Sequence, residues 1–187
     1  MYKGLIILAN GFEDVEALGT IDILRRSGIQ IDTYGLYDYE VLTQSGHTIK
    51  VENLLKDLKQ EKRNTYDFLV IPGGKAVFNV LEKDKLVNNI IDYFYLEQKL
   101  ICAICAAPMI LANLGYFKDQ TYTVFPNCIA TKVPGKNTKR GVEVSSDETF
   151  ITARSMYYTT DFALAIISTL QGAEQAKKVK HQIMGIY

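Results

Sequence analysis

Three short apolar runs punctuate the chain: Gly4 to Ala9, Asp67 to Ile71 and Leu100 to Ile104. Runs of that length without polar interruption predict strands buried on both faces. Ile29 to Tyr34 alternates apolar and polar as a further strand. Between these runs the period changes to that of a helix. Val15, Leu18, Ile21 and Leu24 predict a helix opened by Glu13-Asp14, where negative charge suits the N-terminal dipole, and stopped at Gly28. Leu86, Ile90 and Phe94 predict another over Asp84 to Gln98, and Ala106 to Leu114 reads as a third, ended by Gly115. Phe162 to Leu170 continues the pattern behind Thr159-Thr160, either of which offers a capping hydroxyl. Ala173 to Lys180 adds a last, basic helical turn or two.

The remaining segments carry weaker signals. Residues up to Val51 predict one or two short strands around a Ser45-Gly46 turn, and Asn53 to Lys62 reads as a polar helical stretch. Thr121 to Ala153 is β-branched and turn-rich, with a loop from Lys132 to Gly141. Strands alternating with helices predict βαβ units: an α/β fold with a mostly parallel sheet and helices on both faces. No linker or repeat divides the chain, so residues 1–187 are expected to form one domain.

Composition narrows the function classes. The 187 residues are 48% hydrophobic and 22% charged, an ordinary globular mix. Lys plus Arg equals Asp plus Glu at 21 each, which speaks against a nucleic-acid partner. No window reaches a transmembrane length, and the apolar N-terminus is too short for a signal peptide, so a cytoplasmic protein without membrane partners is expected. Three cysteines at uneven spacing make neither a disulfide framework nor a metal knuckle, and no metal site is expected. Cys102 and Cys105 form a Cys-x-x-Cys, but within a strand rather than at a helix start, unlike a redox pair.

Candidate chemistry lies where the strands end. In an open parallel sheet, ligands bind beyond the carboxyl ends of the strands. Ala9-Asn10-Gly11-Phe12-Glu13-Asp14-Val15-Glu16, Pro72-Gly73-Gly74 and Cys105-Ala106-Ala107-Pro108 would then gather at one sheet edge. A strand running straight into a helix makes a sharp turn that projects its side chain, as a nucleophile elbow does. Pro108 suits the first helical turn, and a thiol at Cys105 would face the helix's positive end, favouring thiolate. Gly73-Gly74 and the Ala106 N–H are candidate donors to a sulfur or an oxyanion. Glu16 shares a face with Gly19, Thr20 and Ile23; partly buried, it could hydrogen-bond a thiolate or act as general acid or base. The bland alternatives are a structural thiol at Cys105 and a solvated Glu16. Cys102 and Cys128 read as structural, neither His47 nor His181 adjoins the predicted site, and Lys132, Lys136, Lys139 and Arg140 read as a solvated basic turn.

Gly11-Phe12-Glu13-Asp14-Val15-Glu16, Val70-Ile71-Pro72-Gly73-Gly74 and Ala103-Ile104-Cys105-Ala106-Ala107-Pro108, in this order and spacing, resemble the ThiJ/PfpI superfamily. Arg25-Arg26-Ser27-Gly28 and Asp161 to Ile166 are similar to its DJ-one branch, named for the parkinsonism-linked protein. The resemblance implies a flavodoxin-like (class I glutamine amidotransferase-like) sandwich, usually a homodimer, working without a cofactor. By position it implies Cys105 as the reactive thiol, Glu16 as a protonated glutamate beside it, and the N–H groups of Gly74 and Ala106 as oxyanion donors. Gly73, Asn10, Phe125 and Pro126 would line the pocket. The implied activities are glyoxalase or deglycase chemistry on small aldehyde or glycated substrates. The alternative is a non-enzymatic oxidative-stress sensor or chaperone-like protein with Cys105 oxidised to sulfinic acid. Three positions differ from the patterns of relatives. The protease-like branch carries a His directly after the nucleophile where this chain has Ala106, and several relatives place a His-Pro pair where it has Phe125-Pro126. An arginine that relatives place near the site corresponds to Gly46.

Overall fold

The computed structural model describes residues 1–128 and 134–186. In chain order, β1 (Lys3–Leu8) leads through a π-helical turn (Val15–Gly19) into α1 (Thr20–Arg26) and β2 (Gln30–Gly35). A hairpin of β3 (Glu40–Leu42) and β4 (Thr48–Lys50) follows, then β5 (Asn53–Leu54) and the one-turn α2 (Gln60–Arg63). Next come β6 (Phe68–Ile71), α3 (Lys75–Asn79), α4 (Lys85–Leu96), β7 (Leu100–Ile104) and α5 (Pro108–Asn113). Short β8 (Thr121–Tyr122) and β9 (Lys136–Asn137) precede β10 (Val142–Val144), β11 (Phe150–Ala153), α6 (Thr159–Gln171) and α7 (Ala173–Met184).

Seven strands form one sheet in the order β10-β11-β7-β6-β1-β2-β5, parallel throughout except for β10 at the edge. The three apolar runs are its centre: Gly4 pairs with Phe68, and Phe68 in turn with Leu100. Apart from Asp67, which is exposed, their side chains are buried because helices cover both faces. From β1 the chain first moves outward to β2; from β6 it moves the opposite way to β7 and β11. Right-handed crossovers therefore put successive helices on opposite faces. α1 packs on β2 and α6, while α4 packs on β6 and β7. The reversal lies between β1 and β6, so the crevice beyond Leu8 and Ile71 is the natural ligand site of this flavodoxin-like fold.

Several local expectations are corrected. Asn53 to Lys62 is not one helix: Asn53–Leu54 pairs with Tyr34 and Gly35 as a sheet edge, because Leu54 and Leu55 have apolar core to cover. Thr159 and Thr160 are not caps but the first residues of α6, and the Thr159 hydroxyl donates to the Met156 carbonyl instead. Val15 and Leu18, expected inward with Ile21 and Leu24, stand exposed. The first turn is rotated so that Glu16, Ala17 and Thr20 take the inward face. Of the basic turn, Lys136 lies in β9 and Arg140 sits 3.6 Å from Glu143; Lys132 lies outside the described residues. Among the described residues no helix is long and apolar enough to cross a membrane.

Candidate active site

Cys105 sits immediately beyond β7 with φ +64, a left-handed conformation that β-carbon-bearing residues rarely adopt. The surroundings over-determine it. Its N–H donates to the Ala153 carbonyl at 2.8 Å, and its own carbonyl accepts the Phe125 N–H at 2.8 Å. Ala106 and Ala107 are small and buried, which lets α5 start at Pro108 with no spacer. The result is a strand-to-helix elbow that holds the thiol at the crevice, with the Ala106 N–H reaching its sulfur.

Glu16 arrives from the other side of the reversal point. It is 0% exposed, a carboxyl placed in the core by the widened first turn. Oε2 accepts the Gly73 N–H at 2.8 Å, and the Glu16 N–H donates to the Glu13 carboxylate at 2.7 Å. Oε1 has no hydrogen-bond partner among the described residues, and the Cys105 thiol is close enough to act on the carboxyl. Gly73 makes this meeting possible. A Cβ there would lie 2.6 Å from Glu16 Oε2 and 2.7 Å from Cys105 Cβ. Gly74, at φ +94, turns the chain into α3, and its N–H has no acceptor among the described residues.

Burial dominates the electrostatics. It lifts the Glu16 carboxyl to about 7, aided by the charge of Glu13 and opposed by hydrogen bonds from Cys105 and Gly73. Burial also pushes the Cys105 thiol up, and the adjacent Glu16 carboxylate pushes it further; the Ala106 N–H alone pulls it down. The expectation of a thiol acidified by the helix dipole is thus reversed, first because the thiol is buried and then because the Glu16 carboxylate is close. The pair behaves as two acids sharing one negative charge. A thiolate at Cys105 goes with a proton on Glu16.

Both groups open into a cavity of about 510 Å³. Gly74, Ala106, Phe125 and Pro126 line it, whereas Gly73 is buried behind it between the two acids. Asn10 does not reach it: its Oδ1 accepts the Leu42 N–H, and the residue lines a smaller cavity with Leu36 and Tyr37. Sequence reasoning missed Gln44, Lys75, Phe78, Cys128, Met156 and Tyr157, all of which line the cavity. Gln44 is brought in by the β3–β4 hairpin, whose turn is tied down at both ends. The Gln44 N–H donates to the Phe12 carbonyl and its Oε1 accepts the Lys75 N–H at 2.9 Å. The same turn brings His47 beside the loop after β1, against expectation, with Nδ1 2.9 Å from Ser45 Oγ, which in turn donates to Asp14; His47 does not line the cavity. Among the described residues no cluster of three His, Cys, Asp or Glu side chains has the makings of a metal site.

A profile of the DJ-1/PfpI family matches residues 2–169. Protein DJ-1alpha of Drosophila melanogaster is 34% identical over 99% of this chain and 85% of its own length. Parkinson disease protein 7 homolog of Danio rerio is 32% identical over 95% of this chain and 94% of its own. The solved structure of oxidized Toxoplasma gondii DJ-1 superimposes with a TM-score of 0.86 at 27% identity, each chain covered to 98%.

Proposed function

The chain belongs to the DJ-1/PfpI family, and on that premise we propose that it is a cofactor-independent, cysteine-dependent enzyme acting on reactive 2-oxoaldehydes. The observation that carries this reading is the buried Glu16 carboxyl, lifted to about 7, against the Cys105 thiol in an open cavity. A proton donor poised near neutrality beside a nucleophile suits both addition to a carbonyl and proton transfer.

In this mechanism the proton sits on Glu16 and the charge on Cys105 sulfur. The thiolate adds to the aldehyde carbon, and the new oxyanion lies against the Gly74 N–H and the Ala106 N–H before taking the Glu16 proton, which leaves Glu16 as a carboxylate. Glu16 then removes the proton from the former aldehyde carbon and returns one to the neighbouring carbon. The hemithioacetal becomes a thioester of the 2-hydroxy acid. Water hydrolyses it and restores the thiol. No histidine is needed, consistent with Phe125 and Ala106 at the positions where hydrolytic relatives carry one.

The test is lactate formation from methylglyoxal by the wild type and by Cys105→Ala. Lactate above the mutant background supports the reading, and equal rates end it. The same reading places the protein in a reducing compartment, in keeping with its three free cysteines. It takes the exposed Val15 and Leu18 as part of an interface between two copies. A second reading, a sensor in which Cys105 is oxidised, draws support from the elbow's access to the cavity and from the oxidized state of the Toxoplasma gondii neighbour.

A further inference from the structure

We propose that Cys128 is a resolving thiol for Cys105, closing a reversible Cys105–Cys128 disulfide across the cavity once a hydroperoxide has oxidised Cys105. The inference rests on reading Cys105 as the reactive thiol, and adds a second residue and a different end product to it.

Three observations carry it. Cys128 is half-buried and lines the same cavity as Cys105, although twenty-odd residues and a helix separate them in the chain. Phe125-Pro126-Asn127-Cys128 is a tight turn, with Cys128 N–H donating to the Phe125 carbonyl at 3.2 Å and Asn127 at φ +67. Proline second and a left-handed Asn third are the signature of a type II turn. The turn is hung directly on the elbow, because the Phe125 N–H donates to the Cys105 carbonyl at 2.8 Å. Two backbone hydrogen bonds in series thus tie the residue bearing one thiol to the residue bearing the other. The sulfurs are near enough for charge on Cys128 to act on Cys105. Cys102 has no such access: it is 0% exposed inside β7.

A disulfide needs its Cα atoms about 4.4–6.8 Å apart. The elbow is pinned by β11 and α5, so the turn carrying Cys128 supplies any approach. The chemistry balances with a hydroperoxide as the sole oxidant. The Cys105 thiolate attacks the outer peroxide oxygen; the O–O bond breaks, and the departing alkoxide or hydroxide takes the Glu16 proton. That leaves Cys105 sulfenic acid. The Cys128 sulfur then attacks the Cys105 sulfur; the S–O bond breaks, and hydroxide leaves as water with the Cys128 proton. Two thiols have lost two electrons and the peroxide has gained them. Without Cys128 the sulfenic acid stays in the cavity and a second peroxide takes it to irreversible sulfinic acid.

The experiment treats reduced full-length protein with three equivalents of hydrogen peroxide, then measures intact mass and maps non-reduced peptides. The expected result is the loss of two hydrogens, one linked pair of peptides containing Cys105 and Cys128, and full reversal by dithiothreitol. Cys128→Ser and Cys128→Ala, each first shown by thermal unfolding to remain folded, should instead gain two oxygens at Cys105, about tenfold faster than the wild type does. Equal sulfinic acid formation in wild type and variants, or a link to Cys102, overturns the inference. Iodoacetamide labelling of the reduced protein separates the two failures. If Cys105 labels promptly but no link forms, only the resolving role falls. If Cys105 labels no faster than Cys102, the reactive-thiol reading falls with it.

Discussion

Gly73 donates its backbone N–H to Glu16 Oε2 at 2.8 Å across 57 residues of chain, and its missing side chain leaves the space in which Glu16 meets Cys105. The hydrogen bond binds the β1 side of the crevice to the end of β6, and the gap admits the end of β7. Replacing Gly73 with Ala keeps the N–H but sets a methyl 2.6 Å from Oε2 and 2.7 Å from Cys105 Cβ. The expected outcome is a loss of about 1–3 kcal/mol in stability, as in other overpacked cores. Iodoacetamide labelling of Cys105 should change together with the unfolding midpoint, because the acid pair is forced apart.

Glu16 makes stability depend on pH in a direction opposite to that of an ordinary salt-bridged carboxylate. Its carboxyl is lifted from 4.5 in the unfolded chain to about 7 in the fold, so the folded protein holds a proton that the unfolded chain has released. The associated stability is fully present below 4.5 and is lost as pH rises through about 7. The loss amounts to about 3 kcal/mol. Urea unfolding at about pH 5 and about pH 8 should show it, and Glu16→Gln, neutral at both, should abolish the difference.

At Cys105 backbone and side chain pull apart in energy. At φ +64 a glycine is more comfortable than any residue with a Cβ. Cys105→Gly is therefore expected to be more stable than Cys105→Ala by about 1 kcal/mol. Both should lack lactate formation and iodoacetamide labelling at this position. In both, the Glu16 carboxyl should titrate above its wild-type value, because the hydrogen bond from Cys105 that lowers it is gone. Infrared titration of the protonated carboxyl band measures this directly.

Phe125 lies on the cavity wall, 44% exposed, with its N–H on the Cys105 carbonyl. Phe125→His should fold normally, since little apolar surface is given up. Once protonated, the imidazole favours the thiolate against the neighbouring carboxylate. Labelling of Cys105 near neutral pH is expected to rise about tenfold, the effect of about one unit in thiol acidity. No rise in the variant would show that the Phe125 position does not communicate with the sulfur.

Legibility in the sequence followed the strength of local burial. Gly4 to Ala9, Phe68 to Ile71 and Leu100 to Ile104 are buried on both faces, so no polar residue is tolerated and the strands announce themselves. Asn53-Leu54 did not, because two residues at a sheet edge carry no period and their pairing with Tyr34 and Gly35 is entirely non-local. The first helix was legible as a helix, but not in its phase. Val15 and Leu18 face out, and a glutamate takes the inward position instead.

For the site, chain order alone determined that a thiol, a glycine pair and an acidic stretch follow three buried strands, and parallel strands bring such endings to one edge. Tertiary structure decided the rest. That Glu16 is wholly buried depends on the helix rotation, that its carboxyl rises to about 7 depends on the desolvation this brings, and that Cys105 is held down in acidity depends on its own burial and then on their contact. Gln44 and Cys128 reach the cavity through turns, whose direction is set by hydrogen bonds to the distant Phe12 and Cys105 carbonyls rather than by the period of their own residues. Periodicity records which side of an element meets the core. It carries no record of which loop closes over the strand ends, because that is a property of the surfaces only after they have packed.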